Sequence, residues 1–523
     1  MAPTRESGTI KKRWRGRLPV ALVFPNTYRV GMANLGFLSI YEFLNREEEI
    51  VCERFFWSEG LPLRSVESGR PLRDFRVVLF SIPFEGDYPR VLRILTAGDL
   101  PLEPSHRKIP VLAGGVAIWL NPRPLFPFLD GFLLGELEVL GKPLVEALLS
   151  GDTEREKLLA RLSRVPGFLN PEGPFPVSIA KVPELTRPLL SHLRSPEAEF
   201  GETQLLEITR GCGESCRFCA AGFIYRPPRR PSRKALFEVL EELSPGVKVG
   251  LIGLEFLKTE AIVEFTSELL SRGHRISFSS VRLDALSPEL KPIFREVRTL
   301  TLAPEAGSES LRRILNKHLS DETLLRTAAL LRDWPNRRLK LYFMFGLPGE
   351  TEEDLAAIVR MVSRIKELSR KEITVSLSPF VPKPWTPFQW APFETPSTLK
   401  KKARHLRRAL SARGVRVSIE SIREAQIQAL VSRGSEVLAP FLREMARGES
   451  LSRALRTLPS SPENLFRGPR EPFPWEEVVH AGIDREFLRR EWERALAGEE
   501  SPRCPARKNC RACGACLALY GAS

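Results

Sequence analysis

The sequence predicts an α/β protein with an N-terminal doubly wound domain, a second β/α series forming part of a barrel, and a mainly helical C-terminal region. Three observations predict it. Short apolar runs alternate with helix-sized stretches in two series, glycines stand at the ends of those runs, and 523 residues exceed what one hydrophobic core usually supports. In the first series the strand-like runs are Val20–Phe24, Val77–Phe80, Pro110–Ala113 and Phe128–Leu134, with helical stretches at Leu35–Leu44 and Tyr88–Leu95. A ligand of such a sheet lies beyond the strand C-termini. There stand Asn26, Tyr28, Gly31, the Gly114-Gly115 turn and Gly135-Glu136. From about Ser150 to Glu199, many prolines and little periodicity predict a connecting segment.

The second series starts near Thr203, with strands beginning at Leu205, Val247, Ile276, Thr299, Leu339 and Ile373 and helices such as Thr259–Ser271 and Glu352–Leu368. Six units predict a partial (β/α)6 barrel whose functional residues cluster at strand C-termini. Beyond Pro396 helices dominate, ending with one near Asp484–Leu496. The expected division is a basic segment 1–17, an α/β domain 18–149, a linker 150–199, a partial barrel 200–396, a helical region 397–500 and a cysteine-rich tail 501–523.

With 42% hydrophobic and 27% charged residues and no apolar run long enough to span a bilayer, the composition excludes a membrane-spanning helix. The basic N-terminus lacks the apolar stretch of a secretory signal, so a cytoplasmic protein is expected. The net charge of +15 and pI near 9.6 favour an anionic partner such as RNA. Its clearest basic clusters are Arg226–Lys234 and Lys400–Arg408; the second reads equally as the solvated face of a helix.

Seven of the eight cysteines fall into two tight groups, which points to metal or cluster ligation rather than a disulfide framework. The eighth, Cys52, sits in a strand-like run and reads as a core residue. Thiolates at Cys212, Cys216 and Cys219 can ligate three irons of a four-iron cube and leave the fourth open to chelate a substrate. An ordinary electron carrier needs four ligands, and a closed zinc site fits three cysteines without a nearby histidine poorly. The tail supplies four thiolates, Cys504, Cys510, Cys513 and Cys516, enough to close an auxiliary [4Fe-4S] cluster or a structural zinc site.

The run Thr209-Arg-Gly-Cys212-Gly-Glu-Ser-Cys216-Arg-Phe-Cys219 resembles the CxxxCxxC hallmark of the radical S-adenosylmethionine (radical SAM) superfamily. Ser279–Asp284, Ala303–Glu309, Phe345–Glu350 and Phe380–Phe388 resemble that family's strand-end motifs. The resemblance implies a radical SAM enzyme whose [4Fe-4S] cluster binds S-adenosylmethionine and cleaves it to a 5′-deoxyadenosyl radical, reduced by a low-potential donor of the flavodoxin or ferredoxin type. By position it implies Phe218 near the adenine, Arg282 and Glu305 on the methionine or ribose portion, and Gly346 permitting close approach; Phe218 also reads as core, and Arg282 with Glu305 as an ion pair inside the barrel. The family's Gly-Gly-Glu element survives only as Gly253-Leu254-Glu255.

The N-terminal domain is similar to a Rossmann-like cobalamin-binding domain, which implies cobalamin contacts at Asn26, Tyr28, Gly31, Gly114, Gly115, Gly135 and Glu136. The DxHxxG histidine motif is missing, and Tyr28 stands where the axial histidine would. The domain therefore either binds cobalamin without a histidine ligand or has lost the cofactor. Two enzyme readings follow: radical modification of an unidentified substrate, including cobalamin-dependent methylation, and methylthiotransferase-like sulfur insertion. A third is a non-catalytic iron–sulfur RNA-binding protein. Sulfur insertion sits poorly with an N-terminal domain whose one cysteine is Cys52.

Overall fold

The computed structural model describes residues 5–152, 154–253, 259–278, 281–468 and 471–521. Leu254, Glu255, Ser279 and Ser280, singled out in the sequence, lie outside the described residues. The N-terminal sheet comprises β1 (Leu18–Phe24), β2 (Ile50–Phe56), β3 (Val77–Ser81), β4 (Val111–Gly114), β5 (Gly131–Leu133) and β6 (Phe168–Leu169), in the order β2-β1-β3-β4-β5-β6. All neighbours are parallel except β5 and β6. Strands β1 to β5 are buried almost throughout, because helices cover both faces of a doubly wound sheet. Helices Leu35–Arg46 and Leu137–Leu149 pack on one face, with Leu38, Leu44, Leu140 and Leu144 in the same core as Leu22 and Leu79.

The segment expected to be a plain linker contributes β6, the helix Arg155–Leu162 and β7 (Val177–Ser178). Two-residue strands carry no alternation to read, so these pairings leave no periodic signal.

The second series supplies β8 (Thr203–Glu207), β9 (Lys248–Ile252), β10 (Arg275–Phe278), β11 (Thr299–Glu305), β12 (Arg338–Phe345) and β13 (Glu372–Pro379). They run parallel in chain order, with a single parallel bridge, Val281 to Leu302, linking the β8–β10 and β11–β13 portions. A further parallel strand, β14 (Arg416–Ile419), extends this arc inside the region expected to be mainly helical. β15 (Val479–His480) pairs with β7.

The period of two along a strand sorts side chains between the helices and the lumen. In β12, Leu339, Leu341, Phe343 and Phe345 are buried and Lys340, Tyr342 and Met344 only partly so. In β11, Leu300 and Leu302 are buried, whereas Ala303 and Glu305 line the cavity described below.

After β11 the chain turns tightly at Gly307. A Cβ there would stand 2.2 Å from the Ile358 nitrogen and 2.7 Å from the Asp354 oxygen, inside the helix Glu352–Ser369. Ser308 then caps the helix Glu309–Ile314, its Oγ accepting from Leu311 N–H at 3.1 Å. Backbone cannot yield as a flexible side chain can, so Gly307→Ala is expected to cost about 1–3 kcal/mol and to lower the thermal unfolding midpoint. An unchanged midpoint would contradict this packing.

Candidate active site

The loop after β8 carries Cys212, Cys216 and Cys219, which all line one cavity of about 160 Å³ with Phe218, Arg282, Asp284, Glu305 and Lys317. The site is assembled from strand C-termini, since Arg282 follows β10 and Glu305 ends β11. Non-glycine residues in the left-handed region cluster around it: Ser215 at φ +64°, Glu305 at +70°, Asn316 at +54° and His318 at +50°. Such conformations cost of order 1–3 kcal/mol each and persist where the surroundings enforce them.

The enforcing contacts are visible. Asn316 Nδ2 donates to Ser215 O at 3.1 Å, and Arg217 N–H donates to Leu315 O at 3.0 Å. The Arg217 guanidinium, fully buried, donates to Glu491 and, at 2.9 Å, to Ser501 Oγ, tying the cysteine loop to the helix Arg485–Leu496 and the tail.

Arg282 forms a two-point pair with Asp284 at 2.8 and 2.9 Å and also meets Glu214 at 2.9 Å. Lys317 Nζ donates to Glu305 at 2.9 Å. Burial works against the charge on Lys317, but Glu305 and the Cys216 sulfur raise it above the ordinary lysine value, so it remains an ammonium facing the thiols. Burial pushes the Cys216 thiol up, with Lys317 and Arg282 pulling the other way, and burial likewise raises Cys219. Cluster assembly must therefore displace protons.

Among the described residues, no three His, Cys, Asp or Glu side chains are grouped to hold a single metal ion. A cube takes one thiolate per iron and spreads its ligands around a shared cavity, the arrangement of Cys212, Cys216 and Cys219. These residues fit a cube with one open iron, and the cations and carboxylates beside it suit a zwitterionic amino acid moiety.

Phe218 borders the cavity and packs against a small core containing Ala306, Leu315, Phe380 and Phe388. Gly346 lies outside the cavity lining. It has φ +79° and donates its N–H to Glu350 at 2.8 Å, so local backbone geometry accounts for the glycine. Lys317 escaped the sequence reading because it sits in a polar turn after a short helix, with no motif around it.

The N-terminal candidates separate. Gly114, Gly115 and Gly135 border an apolar cavity of about 80 Å³ lined by Leu22, Leu79, Leu112 and Leu140. Added Cβ atoms at Gly115 and Gly135 would meet Ile82 O at 2.5 Å and Ala180 O at 2.7 Å, and one at Gly31 would meet the Phe56 ring at 2.4 Å. The protein's own packing thus demands these three glycines. Tyr28 donates to Glu6 at 2.5 Å, and Asn26 Nδ2 donates to Asp87 at 3.1 Å.

Glu136 receives two 2.7 Å hydrogen bonds from Arg229, pairs with Arg210 at 3.1 Å and accepts from Val182 N–H at 2.9 Å. Burial opposes its ionisation, yet the two guanidinium groups hold its carboxyl below the usual range. It locks the N-terminal domain to the segments on either side of the cysteine motif. An 80 Å³ apolar space is smaller than the roughly 150 Å³ cavity that admits benzene. These residues do not fit a corrinoid.

The basic run Arg226–Lys234, expected as one of two anion-binding clusters, is largely consumed internally. Arg226 and Arg229 are buried, Arg233 pairs with Glu264, and Lys234 pairs with Glu238 at 3.7 Å. Among the described residues, no helix is long and apolar enough to cross a membrane.

Residues 36–171 match the family described as radical SAM proteins, N-terminal, and residues 206–362 match the radical SAM superfamily. The chain belongs to the radical SAM superfamily, and is a radical SAM enzyme with the N-terminal domain of that group. A [4Fe-4S] cluster and S-adenosylmethionine are the cofactors this membership implies.

Over 440 residues, 84% of this chain and 93% of the relative, it is 29% identical to the uncharacterized protein MJ0966 of Methanocaldococcus jannaschii. It is also similar to tRNA-2-methylthio-N(6)-dimethylallyladenosine synthases. The one from Desulfosudis oleivorans is 26% identical over 33% of this chain and 40% of its own, and the one from Yersinia pseudotuberculosis is 28% identical over 39% and 47%. The chain thus spans less than half of those synthases. Among solved structures, the cobalamin-dependent S-adenosylmethionine radical enzyme OxsB aligns with a TM-score of 0.45 at 16% identity, covering 66% of this chain and 52% of that one.

Proposed function

We propose that this enzyme generates a 5′-deoxyadenosyl radical at the Cys212–Cys216–Cys219 cavity and uses it to abstract hydrogen from an RNA substrate. The observation that carries the radical chemistry is the shared cavity of three thiols, a buried ammonium and strand-end carboxylates. When bound and reduced, the cluster supplies the electron that breaks a C–S bond of S-adenosylmethionine, giving methionine and the radical. Lys317 is the cation placed for the methionine carboxylate, since Arg282 is already committed to Asp284 and Glu214. Phe218 offers an apolar face for the adenine.

The RNA reading rests on a different surface. On the helix Pro396–Ser411, Lys400, Lys401, Arg404, Arg407 and Arg408 are exposed, and none has an acidic partner among the described residues. The inward Lys402 instead pairs at 2.7 Å with Glu350, beyond the C-terminal end of β12, so this basic face begins at the same rim as the cysteine loop. Lys400, Arg404 and Arg407 border an open groove of about 500 Å³ along the helix. Unpaired cations in a row are the footprint of phosphate contact. The partial likeness to synthases named for a tRNA nucleoside agrees with this reading.

Sulfur insertion has less support here. Cys52 is completely buried in β2, with Asn45 bonded to its backbone, and cannot serve as a cluster ligand in the N-terminal domain. Cobalamin-dependent methylation has no support from the 80 Å³ cavity.

Reduced enzyme given RNA from cells grown in deuterated medium is expected to return deuterium in 5′-deoxyadenosine. Product free of deuterium would overturn the RNA assignment while leaving S-adenosylmethionine cleavage intact. In the Lys400→Gln/Arg404→Gln/Arg407→Gln variant, the slope of log affinity for RNA against log salt is expected to become shallower by about 2, from roughly 0.7 per lost phosphate contact.

A further inference from the structure

We infer that Cys504, Cys510, Cys513 and Cys516 hold a second, closed four-iron cluster that feeds electrons to the cysteine loop. The inference rests on the radical reading above for the destination of the electron. The tail itself lies beyond both family matches, which end at residue 362.

The four cysteines are gathered although they end the chain. The sulfurs of Cys504, Cys510 and Cys513 are all close enough to act electrostatically on Cys516. Cys513 and Cys516 are buried, at 5% and 2% exposure, while Cys504 and Cys510 are half-buried, so the group has an inner and an outer side. Four thiolates satisfy all four irons of a cube and leave none open for substrate or sulfide, which makes the group a carrier of electrons rather than a site of chemistry.

Its placement gives the direction of transfer. Cys504 N–H donates to Gly213 O at 2.7 Å, and Gly213 follows Cys212. Standard bond lengths then hold the Cα atoms of Cys504 and Cys212 within about 11 Å of each other. Arg226 joins the same two groups. Its guanidinium donates to Ser215 Oγ at 2.8 Å and to Gly222 O at 2.7 Å, beside Cys216 and Cys219, and its charge acts on Cys504 and Cys516. On the outer side Arg507 and Arg511 are exposed with no acidic partner among the described residues, a surface suited to an acidic one-electron carrier.

The step is a one-electron transfer. A reduced flavodoxin- or ferredoxin-class protein loses one electron to the tail cluster, which passes it to the cysteine loop. No bond is made or broken and no proton moves.

Anaerobic reconstitution of the full chain is expected to give about eight irons, and the Cys510→Ser/Cys513→Ser variant about four. Four irons plus one zinc in the wild type would overturn the cluster. In the fully reduced wild type the two paramagnetic centres are expected to broaden each other's electron paramagnetic resonance signals, a readout that needs no variant and no turnover. Two independent, unbroadened signals would overturn their proximity.

With reduced flavodoxin as donor, the variant is expected to form 5′-deoxyadenosine at least tenfold more slowly than the wild type. With titanium(III) citrate, which reduces the loop cluster directly, the two should agree within about twofold. Equal rates with both donors, or equal loss with both, would overturn the relay. Failure of the wild type to form the product with titanium(III) would instead strike at the radical reading, whatever its iron count.

Discussion

Cys216→Ala is expected to reduce 5′-deoxyadenosine formation to the level of a control without protein. Cys216 is buried and lines the cavity with Cys212 and Cys219, and a cube held by two thiolates has lost one of the three anchors that keep the open iron in place. The same loss is expected for Cys212→Ala and Cys219→Ala, measured by chromatography of the products after anaerobic reduction. Turnover at the wild-type rate in any of the three would remove the catalytic assignment. Loss of the loop cluster should leave the four tail irons in place, so iron analysis separates damage at the site from general misfolding.

The second large effect is expected at Lys317. Its ammonium meets Glu305 at 2.9 Å, with both side chains mostly shielded from solvent. Lys317→Met removes that charge and leaves the Glu305 carboxylate facing the cavity without its partner. Hydrogen bonds to charged groups contribute roughly 1.5–3 kcal/mol, so the affinity for S-adenosylmethionine is expected to fall by about 10- to 100-fold. Equilibrium binding to the reconstituted protein measures this directly. Lys317→Arg keeps the charge but exchanges a compact ammonium for a planar fork, and is expected to recover part of the affinity. Binding unchanged in Lys317→Met would show that another cation meets the methionine carboxylate.

Local features of this chain were legible in its sequence, and features made by distant residues were not. The apolar runs that became β1, β3, β4 and β11 to β13 could be read because a strand buried by helices must be apolar over several residues. β6, β7 and β15 are two residues each, and their pairing is decided by the partner strand. The cysteine motif was legible because three ligands of one cube come from a single short loop. Lys317 was not, since only the fold carries that turn to the lumen.

Charge was the least legible property. Arg226 and Arg229 looked like part of an anion-binding run, but Glu136, 93 positions before Arg229, neutralises one, and the carbonyl of Gly222 with Ser215 engages the other. The run Lys400–Arg408 differs because no acidic element folds over it. Glycines carried a similar ambiguity. Gly115 and Gly135 stand where a cofactor could require them, yet the carbonyls of Ile82 and Ala180 already do. The docking of Cys504 on Gly213 joins residues 291 positions apart, and nothing in the spacing of either cysteine group foretells it.

The most direct measurement is made on the reconstituted wild-type protein, reduced with titanium(III) citrate and mixed with S-adenosylmethionine. The electron paramagnetic resonance signal of the loop cluster is expected to change on addition, because an open iron gains a ligand, and methionine and 5′-deoxyadenosine are expected in equal amounts. An intact cluster whose spectrum does not change and which yields neither product would contradict the assignment of Cys212, Cys216 and Cys219.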